Sequence, residues 1–163
     1  MAITTGMMSS LAQDWETPQS FVDTVEEYLG IEFTLDCCCY PQTAKAPEFF
    51  TEADDALTKD WKGTVWMNPP YSRAIPTWLK YAYEQSVKHG STVVCLVPAR
   101  PDTKWFHEIA CLGQVIFLKG RVKFLQNGEE AGSPAFPSML VVFDGKDTSG
   151  FQTWDWKSQG GSK

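Results

Sequence analysis

The run Thr92-Val93-Val94-Cys95-Leu96-Val97 restricts the architecture more than any other part of the chain. It is continuously apolar and rich in β-branched residues, with no polar residue at alternate positions. A strand of that kind has to be covered on both faces, which is the situation of a central strand in a parallel sheet flanked by helices. Helical spacing on either side agrees. Phe21, Val25, Tyr28 and Leu29 recur at three- and four-residue intervals before Gly30, and Ile75, Trp78, Leu79, Ala82 and Tyr83 do so before His89-Gly90. Thr17-Pro18 reads as a cap followed by proline in the first helical position, and Ser72 and Asp102 read as caps of the two later helices. The last of these runs through Trp105, Phe106, Ile109 and Ala110 to a stop at Gly113.

Further strands are expected at Ile31 to Cys38, at Thr64 to Met67, at Gln114 to Leu118 and, briefly, at Arg121 to Leu125. Asn127-Gly128 marks a turn. Ser138 to Phe143 is expected to be antiparallel, because no helical crossover of sufficient length precedes it. The alternation predicts a three-layer, Rossmann-like α/β domain with a mostly parallel sheet and an antiparallel C-terminal strand. Only about 30 residues separate Asp36 from Asn68, too few for a full pair of crossover helices, so a reduced sheet is expected. With 163 residues, the chain is read as one domain, 1–163, with loose ends at 1–13 and 157–163.

Composition sets outer limits. An apolar fraction of 43% with 13% aromatic residues is far from a disordered chain. No stretch approaches 18 consecutive apolar residues, so no membrane-spanning helix is expected, and Met1 to Gln13 lacks the pattern of a secretory signal. Five cysteines, three of them consecutive at Cys37 to Cys39, make neither a disulfide framework nor a spaced zinc site, and a reducing cytoplasm is the expected compartment. The net charge of −6 argues against gripping duplex DNA by the overall field, although Arg100, Lys104, Lys119, Arg121 and Lys123 supply local positive charge in the second half.

In an open parallel sheet, ligands bind beyond the C-terminal strand ends, which puts Asp36 and Asn68 on one rim. Asn68-Pro69-Pro70-Tyr71 follows its strand directly. The side-chain oxygen of Asn68 and the carbonyl of Pro69 are two acceptors held by a stiff proline pair, suited to an amino group with two hydrogens, and Tyr71 offers a ring to stack on the group bearing it. The same four residues read equally well as a strand end with Tyr71 packed on the sheet edge. Trp15, Trp61 and Trp66 fit either a pocket wall or the core, and His89 and His107 read as helix surface.

Asn68-Pro69-Pro70-Tyr71 resembles the catalytic motif of amino methyltransferases acting on adenine N6 or cytosine N4 in DNA. The wider set resembles the small phage and prophage DNA N-6-adenine methyltransferases: Trp15-Glu16-Thr17-Pro18, Phe33-Thr34-Leu35-Asp36, Asp54-Asp55-Ala56-Leu57, Asp60-Trp61, Val97-Pro98-Ala99-Arg100, Thr103-Lys104-Trp105-Phe106-His107, Gly120-Arg121-Val122-Lys123-Phe124 and Phe136-Pro137-Ser138-Met139. That resemblance spans residues 13 to 143. It implies S-adenosylmethionine as cofactor and double-stranded DNA as partner, with the adenine flipped out of the helix, its N6 held by Asn68 and the Pro69 carbonyl, and its ring stacked on Tyr71. It further implies Asp36 near the methionine ammonium, Thr17 and Pro18 closing over the methionine part, Cys37 in the cofactor turn, and Asp54 or, by a small margin, Asp55 near the cofactor adenine. Arg100, Lys104, Arg121 and Lys123 are candidates for DNA contacts, and a monomer or homodimer in the bacterial host cytoplasm is expected if the gene is phage-borne. No metal is expected. The chain departs from the wider pattern at the cofactor turn, where Cys37-Cys38-Cys39 stands in place of glycines. Cytosine-N4, RNA or protein-amide methylation, and a non-catalytic cofactor- or DNA-binding module, are the alternatives.

Overall fold

The computed structural model describes residues 16–126, 128–130, 136–146 and 148–161, so Met1–Gln13, Trp15 and Asn127 fall outside it. Seven strands form one sheet: β1 (Leu35–Asp36), β2 (Glu48–Phe49), β3 (Thr64–Met67), β4 (Thr92–Pro98), β5 (Gln114–Leu118), β8 (Ser138–Phe143) and β9 (Gly150–Trp154). Their spatial order is β2-β1-β3-β4-β8-β5-β9. The pairs β2–β1, β1–β3, β3–β4 and β5–β9 are parallel, and β8 is antiparallel to both β4 and β5. A small ribbon of β6 (Leu125–Gln126) and β7 (Glu129–Glu130) stands apart.

The apolar run is the sheet's central strand, as its composition requires. Val93, Cys95 and Val97 of β4 face one side, where α2 (Ile75–His89) and α3 (Lys104–Glu108) pack through Leu79, Ala82 and Phe106. Val94 and Leu96 face the other side, against Phe21, Val22 and Val25 of α1 (Gln19–Leu29). Each buried aliphatic side chain of this kind contributes roughly 1.5–3 kcal/mol. The helix α4 (Trp156–Gly161) joins the α1 layer, with Trp156 edge-on to Phe21 at 4.9 Å between ring centres. Residues 157–161, expected in a loose tail, therefore continue a helix. No helix among the described residues is long and apolar enough to cross a membrane.

The glycine stops hold: Gly30 and Gly90 both sit at φ 68° after their helices. The expected caps do not. At α1 the capping position is Pro18, whose carbonyl receives the N–H groups of Phe21 and Val22, and the Thr17 hydroxyl is engaged elsewhere. Thr103 rather than Asp102 caps α3, accepting from the Phe106 N–H at 3.2 Å. Ser72 lies ahead of α2 and accepts from the Ala74 N–H at 3.1 Å inside the preceding turn. Between β1 and β3 the chain makes three short 3-10 turns and the edge strand β2 instead of crossover helices; the helices are missing there as expected, but the sheet is not reduced, since β2 brings it to seven strands. Arg121 to Phe124 forms no ladder, and pairing begins only at Leu125.

Because β8 runs against its neighbours, β1, β3, β4, β5 and β9 all end on the same side. Asp36, Asn68, Arg100 and the segment 119–124 are delivered to one rim by backbone direction alone. The N–H of Ala99 donates to the Pro137 carbonyl at 2.9 Å, closing that rim between β4 and β8.

Candidate active site

Asn68 leaves the end of β3 with its amide fixed: Nδ2 donates to Oγ1 of Thr17 at 3.0 Å, and Oδ1 is buried. Thr17 is itself only 1% exposed, and it reaches Asn68 because its neighbour Glu16 pairs through the backbone with Leu125 in both directions, at 2.9 and 2.8 Å. Two segments remote in sequence therefore set the rotation of one side chain. With the nitrogen donating to Thr17, the orientation of the amide is defined, and its oxygen is the acceptor of the side chain.

Pro69 is buried and Pro70 half-buried. Tyr71 is anchored below them: its hydroxyl donates to the Leu96 carbonyl at 3.2 Å, and its ring meets Phe124 and Phe136 edge-on at 6.1 and 5.4 Å. Burial pushes the Tyr71 phenol far above its ordinary value, so it stays protonated. These contacts pack the Tyr71 ring at the sheet edge, next to the rim that carries Asn68.

Two adjoining cavities lie over the rim and share Cys38, Cys39 and Pro70. The first has Thr17, Asp36, Lys45, Trp66 and Asn68 among its walls. Asp36 is 1% exposed, and its oxygens accept from the N–H groups of Cys38 at 3.1 Å and Lys45 at 3.0 Å. Desolvation raises its carboxyl from 3.8 to about 6, with the two backbone hydrogen bonds and the Lys45 charge pulling the other way. Lys45 turns its ammonium onto Glu16 at 3.1 Å, with the lysine side chain 5% exposed and the glutamate 21%.

The second cavity is bounded by Thr51, Glu52, Asp55, Ala56 and Trp78 besides the shared residues. Asp55 stands there at φ 54°, an uncommon left-handed position for a side-chain-bearing residue. Asp54 lies outside both walls: its carboxylate accepts from the N–H and hydroxyl of Thr51 at 2.7 and 3.1 Å, which holds it below its usual range. The adjacent pair left open by sequence is thus separated in space.

The cysteine turn is built from neutral thiols. Burial pushes Cys38 up to about 12 and raises Cys37 and Cys39 well above the ordinary thiol value, and the carboxylate of Asp36 adds to each. Cys37 is buried, while Cys38 and Cys39 supply small side chains to both cavities. Among the described residues no group of three potential ligands is placed to hold a metal ion.

The basic candidates surround the same rim. Arg100 is exposed and lies 5.7 Å over the Phe136 ring, and Lys104 is exposed at the start of α3. In the segment after β5, Val122 and Phe124 are buried while Arg121 is half-buried and Lys123 exposed, an alternation that turns the charges outward. Trp61 is core, with its indole N–H on the Ala56 carbonyl, whereas Trp66 is both buried and a cavity wall. His89 pairs with Asp60 and His107 meets the Pro101 carbonyl, away from either cavity. Sequence reasoning missed Lys45, Tyr40 and Thr43 as wall residues, since they sit in a polar, aperiodic stretch.

A layered α/β sheet with an acid at the end of β1, an Asn-Pro-Pro-Tyr rim after β3 and an adjoining two-part cavity defines a Rossmann-like methyltransferase domain. The sequence profile of the family described as DNA N-6-adenine-methyltransferase (Dam) matches residues 5–153, and the chain belongs to that family of adenine-specific DNA methyltransferases. It is similar to the DNA N-6-adenine-methyltransferase of Haemophilus phage HP1 (strain HP1c1), being 38% identical over 137 residues, which cover 81% of this chain and 79% of the relative. It is also similar to that of Escherichia phage T1, at 31% identity over 96 residues, covering 58% of this chain and 39% of the relative.

Proposed function

We propose that the chain methylates the exocyclic N6 amine of adenine in double-stranded DNA, with S-adenosylmethionine as donor and the base swung out of the duplex. The observation that carries this reading is the fixed amide of Asn68, whose nitrogen is bound by Thr17 beside cavities of mixed charge. Those cavities suit the cofactor chemically. Asp36 offers a carboxylate to an ammonium, Asp55 an acceptor to an adenine amine, and the small thiols of Cys38 and Cys39 let ligand pass close to the turn. Bound there, S-adenosylmethionine supplies an electrophilic methyl group on a sulfonium.

The chain's part is orientation. Asn68 Oδ1 and the Pro69 carbonyl take the two N6 hydrogens, which disfavours spread of the nitrogen lone pair into the ring and leaves it available for bond formation. Tyr71, immobilised by its Leu96 hydrogen bond and its two aromatic neighbours, presents a fixed ring edge or face to the base. Preorganised acceptors of this kind act through positioning and electrostatics rather than covalent catalysis. The surplus proton leaves after transfer, so no general base is assigned. Thr17 and Pro18 close the methionine side, and Arg100, Lys104, Arg121 and Lys123 face the DNA backbone around the rim.

Methyl transfer from labelled S-adenosylmethionine to duplex DNA, followed by nucleoside analysis, tests the reading. N6-methyladenine is the expected product, and N4-methylcytosine or unmodified DNA would sink it. Asn68→Ala is expected to lower transfer by about 100-fold or more, as loss of one preorganised polar contact does, while S-adenosylhomocysteine still binds.

A further inference from the structure

The ion pair between Lys45 and Glu16 has an unusual position for a surface clip. The Lys45 side chain is 5% exposed, its Nζ lies 3.1 Å from Glu16 Oε2, and both residues line the same cavity as Asp36 and Asn68. A buried ammonium needs a partner, and withdrawing two charges from water is repaid only by good geometry. Of the described residues lining this cavity, Lys45 is the one cation, against the two carboxylates of Glu16 and Asp36. The backbone N–H of Lys45 is bound to Asp36 Oδ2 at 3.0 Å, so the chain at Lys45 is pinned to the acid at the end of β1 and its ammonium has a fixed root.

An amino-acid headgroup carries one ammonium and one carboxylate. Asp36 answers the first; in this cavity Lys45 is the group able to answer the second. Resting on the reading of this site as an S-adenosylmethionine pocket, we infer that Lys45 binds the α-carboxylate of the cofactor and that Glu16 occupies its place until the cofactor arrives. Binding then exchanges one carboxylate for another on the same ammonium. No charge is stranded in either state, because Glu16, at 21% exposure, has solvent within reach when released. Glu16 is thus a placeholder and Lys45 a cofactor-binding residue.

The test is a cycle between protein and ligand, measured by calorimetry. The probes are S-adenosylhomocysteine and the same thioether lacking its α-carboxylate, each titrated into the wild-type protein and into Lys45→Met. Loss of the carboxylate is expected to weaken wild-type binding on the order of ten- to hundredfold, the scale of one hydrogen bond to a charged group. In Lys45→Met, intact S-adenosylhomocysteine is already weakened, and removing the carboxylate changes affinity less than about threefold. An equal loss in both proteins overturns the role of Lys45 and leaves the cofactor reading standing. Failure of the wild-type protein to bind S-adenosylhomocysteine at millimolar concentration overturns the reading of the pocket itself. Should Lys45→Met not fold, a crystal structure of the wild-type protein with S-adenosylhomocysteine decides: Nζ within hydrogen-bond distance of the ligand carboxylate supports the exchange, and Nζ still on Glu16 refutes it.

Discussion

Asp36 is held where a carboxylate is poorly solvated, and desolvation outweighs both its backbone hydrogen bonds and the nearby lysine to raise its carboxyl to about 6. Its folded value exceeds the unfolded 3.8, so its contribution to stability is complete below about 3.8 and is lost as pH rises through about 6. At neutral pH the cofactor-free protein carries a charge it would be more stable without. The melting temperature of the cofactor-free protein is therefore expected to contain a component that falls between about pH 4 and 6, and Asp36→Asn should flatten it. A ligand ammonium selects the ionised form and reverses the sense. Affinity for S-adenosylhomocysteine should rise with pH through about 6 in the wild-type protein and lose that limb in Asp36→Asn, as titration calorimetry at several pH values would show. A flat wild-type profile over that interval would remove Asp36 from the ammonium contact.

At the scale of elements, the edge strand β9 fixes the far side of the sheet although its own composition is unremarkable. Trp154 at its end is 5% exposed and stacks on Tyr28 of α1 at 4.0 Å and 13°, while Gln152 donates to the Tyr28 hydroxyl at 2.6 Å. Trp154→Ala should cost about 3–5 kcal/mol by leaving a cavity between sheet and helix, measurable as a lower urea midpoint. If β9 detaches altogether, the slope of that transition falls as well, because less surface remains to be exposed. Strand β9 also marks the limit of what the sequence displays. Its residues from Gly150 to Thr153 are exposed or half-buried, and those of β2 are exposed, so neither strand has an apolar pattern to read. The run 92–97, the glycine-stopped helices and antiparallel β8 were legible, because burial on one or both faces writes itself into composition. Asp36 and Asn68 were legible for a related reason: strand direction alone put them on one rim. The Thr17 hydroxyl and the Lys45–Glu16 pair were not, since contacts across 51 and 29 residues leave no local periodicity.

The whole molecule presents DNA with a contradiction, a net charge of −6 and a rim where exposed Arg100, Lys104 and Lys123 accompany Arg121. On the proposed reading the rim supplies local attraction against an overall field that opposes the duplex. If all four rim cations neutralise phosphates, the log–log dependence of affinity on salt has a slope of about −3.6. Lys123→Glu should lessen that slope by about one unit and weaken binding to DNA of any sequence, with affinity for S-adenosylhomocysteine unchanged; equilibrium titrations at several salt concentrations read both. The reciprocal backbone pair between Glu16 and Leu125 gives this division of labour a thermodynamic edge. Glu16 stands in the wall of the cavity proposed for the cofactor, and Leu125 follows directly on the segment that turns Arg121 and Lys123 outward. If the cofactor draws the Glu16 side chain off Lys45 as proposed, the change falls one backbone pair away from the strip proposed to face the duplex, and the two ligands are then expected to read each other's presence. Linkage then demands symmetry: whatever factor the cofactor adds to the affinity for DNA, DNA must return to the affinity for the cofactor.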